Sequence, residues 1–165
     1  MRGVMGGKVI QALRASLLAP SLTEAELRAL ANCGRQASYA SGETILAADG
    51  LDERLFVLGE GQVQLTITMW SEDGRCGGEA AFDLSAPGEP FGWAMWVRSD
   101  RIAVAAYALQ PTTLIALDLD RLGDAETFLK IQGQMLQLLY GRLQEAGICP
   151  PNIQGLLRLK HLLYT

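Results

Sequence analysis

The sequence predicts a mainly β domain, a sandwich or barrel of short strands, with helices at both ends. Two observations carry this. Between residues 36 and 118 short apolar runs are separated by Gly, Pro, Asp and Ser, and outside that window apolar residues recur at helical spacing. Composition is the third: 165 residues, 49% hydrophobic and 19% charged, describe an ordinary folded protein with material for one sizeable core.

The first element is helical. Val9, Ile10, Leu13, Leu17 and Leu18 share one face over residues 8–19. In the following "SLTEAELRALANCG", Thr23 and Glu26 have the spacing of a capping box, Leu22 stands as its staple, and Gly34 is a stop signal. Residues 1–35 are therefore read as two helices packing on the barrel.

Strands follow over 36–119, in runs such as "ETILAA", "AAFDLSA", "IAVAAYAL" and "TTLIALD". "VQLTITMW" alternates cleanly and suits a half-buried antiparallel strand. Asp73-Gly74, inside "SEDGRCGG", marks a hairpin tip.

Helical spacing returns over 120–147. Phe128, Ile131, Met135, Leu138 and Leu139 fall on one side, and Leu136 and Leu143 widen the stripe. Asp124 is the candidate N-cap; Gly147, Pro150 and Pro151 close the helix. A helix of about 20 residues spans roughly 30 Å, more than a small barrel needs for cover. The stripe is therefore expected to serve a second copy of the chain, with Phe128, Ile131, Met135, Leu138 and Leu139 at a homodimer interface. A short amphipathic helix is expected over 148–165.

Several function classes are disfavoured. The net charge is −4, and the 11 Arg and 3 Lys form no dense basic cluster, so a surface built to grip nucleic acid is not expected. Cys33, Cys76 and Cys149 are far apart and read as reduced thiols of a cytoplasmic protein. Lys8, Gln11 and Arg14 interrupt the N-terminal apolar residues, so neither a signal peptide nor a membrane span is expected. The sole histidine, His161, lies outside the barrel. That removes a cupin-type metal site and any histidine-activated Ser or Cys nucleophile within it. Neither an enzyme nor a metal is expected.

Two stretches carry a family resemblance. "YASGETILAADGLDERLFVLGEGQVQL" (39–65) places Gly42-Glu43 and Asp49-Gly50 at turns and Gly61 at a strand reversal. "PGEPFGWAMWVRSDRIAVAAYALQPTTLIALD" (87–118) is similar to a phosphate-binding cassette and the strands after it. With the helices on either side, this order resembles the cyclic-nucleotide-binding domain of the catabolite-activator (cyclic AMP receptor protein) family, over roughly residues 14–146. The resemblance implies a double-stranded β-helix, or jelly roll, with N-terminal helices and a long C-terminal helix.

It also implies a site. In such a cassette a Gly lets the backbone approach the ligand, and free N–H groups of the next turn face the phosphate. An Arg then neutralises it with forked donors. Gly92 matches the Gly, Arg101 the phosphate Arg and Ala103 the small residue after it, with Ala94 in the same cassette. Trp93 stands where a ribose-binding Glu belongs, and Ile102 where a Ser or Thr belongs. The segment between is one residue shorter than usual, so Arg98 is a rival for the Arg role. Asp100 or Glu89 could instead pair with Arg101 and make it structural. Trp93 and Trp96 could stack an aromatic ligand or simply pack.

Losing the Glu removes a hydrogen bond worth about 1.5–3 kcal/mol, a weakening of roughly ten- to a hundred-fold for a cyclic nucleotide. The expected function is a small-ligand sensor or regulatory module, dimeric through its C-terminal helix, with a pocket modified away from cyclic AMP. Its ligand would be a cyclic nucleotide or another small anion. Two alternatives stay open: a ligand-free pseudo-receptor acting as an interaction scaffold, and the sensor half of a DNA-binding transcription regulator. The family's helix-turn-helix follows the long helix, and 18 residues follow Gly147 here, so direct DNA binding by this chain is not expected.

Overall fold

Among the described residues, eight strands form two four-stranded antiparallel sheets, flanked by three α-helices. The computed structural model describes residues 2–47, 54–70, 76–92 and 102–145. In chain order these are α1 (Arg2–Arg14), α2 (Glu24–Ala31), β1 (Gly34–Tyr39), β2 (Thr44–Leu46), β3 (Leu55–Glu60), β4 (Val63–Trp70), β5 (Cys76–Leu84), β6 (Pro90–Phe91), β7 (Ile102–Ala108), β8 (Thr112–Leu117) and α3 (Ala125–Glu145). One sheet has the order β1-β8-β3-β6 and the other β2-β7-β4-β5. Consecutive strands repeatedly change sheet, which is the winding of a jelly roll.

Local chemistry accounts for the elements. The capping box forms: the Glu26 amide donates to Thr23 Oγ1 at 3.2 Å, and the Thr23 amide donates to Glu26 Oε1 at 2.9 Å. In β4, Val63, Leu65 and Ile67 are buried while Gln64, Thr66 and Thr68 are half-buried, as the alternation predicts. The reversal from β3 to β4 turns on Gly61, whose φ is +110°. A β-carbon there would lie 2.5 Å from Thr112 Oγ1 and 2.7 Å from the Pro111 carbonyl oxygen, so only glycine fits.

Pro90 sits on the edge strand β6, where a missing N–H disturbs no ladder beyond β3. The first helix runs earlier than the apolar spacing indicated, ending at Arg14 before a 3-10 turn at Ala19–Ser21. Gly34 opens β1 rather than following α2 directly, because α2 closes on Asn32. The Asp49-Gly50 and Asp73-Gly74 turns and the helix expected over 148–165 lie outside the described residues.

One core joins the layers. Phe56 and Phe91 stack with ring centroids 5.2 Å apart, and both are fully buried. Val9 and Leu13 of α1 and Leu27 and Leu30 of α2 enter the same cluster, as do Ile131, Met135 and Leu136 of α3. The long helix is therefore part of this chain's own core.

Candidate ligand site

The site begins where β6 ends. Gly92 is buried, with φ +108°, and a β-carbon there would meet the Arg54 carbonyl oxygen at 2.7 Å and Phe56 Cδ2 at 3.3 Å. The chain thus passes close against β3 as it leaves the sheet, in a backbone conformation that side chains disfavour. The preceding turn is pinned on both sides. Gly88 donates its N–H to the Leu58 carbonyl at 2.8 Å, Leu58 donates to the Glu89 carbonyl at 2.9 Å, and Leu17 donates to the Gly88 carbonyl at 3.1 Å.

The chain re-enters structure at β7, in the other sheet, where Ile102 pairs with Met69 and Ala103 with Thr68. Residues 93–101 therefore join the edge of one sheet to the interior of its partner. Phe56, Phe91 and Gly92 pack together on the β6 side, and β4 fixes the register of β7 on the other.

The α3 helix is fastened near both ends, to Glu26 of α2 at its start and to Glu89, beside the site, near its other end. At its start, Asp124 Oδ1 accepts from the Glu126 amide at 3.1 Å. The buried Thr127 hydroxyl lies 2.5 Å from Asp124 Oδ2 and 3.0 Å from Glu26 Oε2, and Lys130 Nζ donates to Glu26 Oε1 at 3.0 Å. Hydrogen bonds from the Thr23 backbone, Lys130 and Thr127 outweigh desolvation and hold the Glu26 carboxyl down at about 2. Asp124 is also lowered, chiefly by Thr127, and Lys130 is raised by Glu26. Near its other end, Arg142 reaches Glu89 and the ring of Phe82.

The fold has well-populated likenesses. No protein-family profile matches the sequence, and no curated protein matches it. Among solved structures, a protein from Silicibacter pomeroyi DSS-3 assigned as a cAMP-binding regulatory protein is 25% identical, with a TM-score of 0.54 over 82% of this chain and 62% of that one. The catabolite activator protein of Thermus thermophilus is 26% identical, with a TM-score of 0.57 over 80% of this chain and 60% of that one. The chain folds as a cyclic-nucleotide-binding domain. It spans about three fifths of the length of each of those two proteins. The sensor domain of the transcriptional regulator DNR from Pseudomonas aeruginosa shares the fold at 16% identity, with a TM-score of 0.58 over 81% of this chain and 92% of that one.

Within this fold the residues expected in the pocket fare differently. Gly92 directly follows β6, and Ala103, half-buried, lies in β7. Ile102 is the first residue of β7. Trp93, Ala94, Trp96, Arg98, Asp100 and Arg101 lie outside the described residues. Glu89, weighed as a partner for Arg101, forms an ion pair with Arg142 at 3.4 Å.

The expected dimer stripe is largely occupied within the chain. Ile131 and Met135 are fully buried in the domain's own core, leaving no surface for a second copy, and Phe128 and Leu138 pack against that core. The side chain of Leu139 lies outside the described residues. Among the described side chains of α3, Leu129 is the large apolar one that is exposed, at 48%.

Sequence reasoning missed Arg142 and Phe82, and the Glu26 junction with α3. Among the described residues no group of three His, Cys, Asp or Glu could hold a metal ion, and no helix is long and apolar enough to cross a membrane.

Proposed function

We propose that this domain is a small-ligand sensor or regulatory module, without catalytic activity, whose cassette binds a cyclic nucleotide or another small anion in modified form. Gly92, Trp93, Ala94, Arg101, Ile102 and Ala103 make the ligand-binding set. The observation that carries the reading is Gly92. Its positive φ and its contact with the Arg54 carbonyl hold the backbone in a conformation closed to other residues at the start of the connecting segment. A glycine in such a conformation lets the backbone come close to a bound anion.

Arg101, just ahead of β7, supplies the neutralising charge. With Trp93 in the Glu position, a ribose hydroxyl loses its carboxylate acceptor, so the preferred ligand is one that does not depend on it. The domain works as a homodimer through the outward side of α3, where Leu129 is exposed. The likeness to a transcription regulator's sensor domain supports a further reading, in which the module is the sensing half of a DNA-binding regulator. A filled pocket that leaves only a scaffold is the competing outcome.

Calorimetric titration of the chain with cyclic AMP, cyclic GMP and cyclic dinucleotides tests the reading, beside Arg101→Ala and Arg98→Ala. Saturable binding lost in Arg101→Ala supports it. Absence of heat with every ligand favours the scaffold.

A further inference from the structure

A cleft of about 510 Å³ opens between α1 and the sheet β1-β8-β3-β6. Strand pairing shows how it arises. Gln36 lies opposite Ile115, so the two share a face of the sheet. Gly34, on that same face of β1, would carry a β-carbon 3.1 Å from Val9 Cγ1, so this is the face that α1 covers. The helix sends Val9 and Leu13 into the core. Beside them it presents Ala12 and Ala15, whose short side chains leave the space next to the strands open.

A bulge places a carboxylate in this cleft. Leu58 pairs with Leu114 and Glu60 with Thr113, so Gly59 is an extra residue in β3. Without it Glu60 would lie opposite Thr112 and share the face of the fully buried Leu58 and Leu114. The bulge turns Glu60 onto the face of Thr113 and Ile115 instead, where it lines the cleft. A β-carbon on Gly59 would lie 2.9 Å from the Thr113 carbonyl oxygen, so the bulge requires glycine.

Lys8 lines the cleft from the helix wall, across from the sheet wall that carries Glu60. Among the described residues neither side chain forms an ion pair or a hydrogen bond. Gln36 and Thr113 add neutral polar groups, and Ile115 supplies an apolar floor. An apolar lining with a few polar groups, in a volume of roughly 300–1,000 Å³, is usual for a small-molecule site.

The geometry points to a second ligand site in this cleft, for a small apolar zwitterion of the dipeptide class. The ligand carboxylate meets Lys8, its ammonium meets Glu60, and its apolar side chains lie against Ile115 and the two alanines. A cation and an anion on separate walls select a ligand that carries both charges, since a singly charged one satisfies only one wall. The site shares no residue with the proposed ligand-binding set at 92–103, so failure of that reading leaves it standing.

Alanyl-leucine titrated into the whole chain, followed by amide NMR, tests it. Saturable shifts are expected at Lys8, Gly59, Glu60 and Thr113. N-acetyl-alanyl-leucine, which lacks the ammonium, and alanyl-leucinamide, which lacks the carboxylate, should each bind roughly tenfold more weakly. Lys8→Met should weaken alanyl-leucine by a similar factor and leave alanyl-leucinamide unaffected; Glu60→Gln should weaken it likewise and leave the acetylated peptide unaffected. Both positions are exposed, so neither variant threatens folding. Ala15→Leu, also at an exposed position, should abolish the shifts by filling the cleft. Absence of saturable shifts, equal binding of the blocked peptides, or shifts that persist in Ala15→Leu would overturn the site.

Discussion

Gly92 rests against the backbone of Arg54, so closely that a β-carbon would sit 2.7 Å from the Arg54 carbonyl oxygen. With φ at +108°, the position excludes side chains on two independent grounds, contact and conformation. The chain leaving β6 is thereby held against β3.

Gly92→Ala should therefore destabilise the domain by about 1–3 kcal/mol, the usual range for a strained backbone position. Urea unfolding followed by circular dichroism measures this. A midpoint equal to that of the wild type would show that the entrance relaxes freely.

The burial of Met135 separates folding from assembly. Met135→Ala should lower stability by about 2–5 kcal/mol, as for other large-to-small core changes, without weakening self-association of the folded protein. Leu129→Glu, on the exposed side, should weaken self-association in sedimentation velocity and lower the urea midpoint only at concentrations where the wild type is associated. Loss of association in neither variant would move the dimer contact away from α3.

Glu26 predicts a pH dependence with a definite sign. Its carboxyl titrates ordinarily at 4.5 and at about 2 in the folded chain. A depressed folded value means stability that is fully present above 4.5 and lost as the pH falls toward 2. Glu26→Gln should flatten the fall in urea midpoint over that interval and lower stability near neutrality. An unaltered pH profile would show that the contacts of Thr23, Thr127 and Lys130 do not favour the charged form.

Thr112 closes the β3–β4 reversal. It is 2% exposed, and its hydroxyl oxygen lies 2.7 Å from the Gln110 carbonyl, 3.2 Å from the Gln62 carbonyl and 3.3 Å from the Gln62 amide, whose hydrogen bond it accepts. Thr112→Val keeps the shape and leaves these groups short of a partner, a loss of about 1–3 kcal/mol. Thr112→Ser, retaining the hydroxyl, should cost less. Equal losses for the two would assign the effect to the methyl group.

How much of this could be read beforehand depended on whether the signal was local. Thr23 and Glu26 are three apart, so their capping box was visible as a spacing. The engagement of the same Glu26 by Thr127 and Lys130 was not, because no local pattern links residues a hundred positions apart. The alternation of Val63, Leu65 and Ile67 announced β4, whereas the two residues of β6 are too few to show any period. Helical spacing identified Ile131 and Met135 as apolar partners of something, but periodicity cannot say whether the covering surface belongs to the same chain. It does. Glu89 was visible as a carboxylate near the cassette, yet its pairing with Arg142 follows from the path of α3, which only the fold supplies.

In the proposed cassette, Trp93 holds the Glu position. The affinity for cyclic AMP of the native chain and of Trp93→Glu, measured side by side by calorimetry, tests it most directly. Restoring the carboxylate should tighten binding by roughly ten- to a hundred-fold, the equivalent of about 1.5–3 kcal/mol. An affinity unchanged by Trp93→Glu in a folded protein would contradict the assignment of that position.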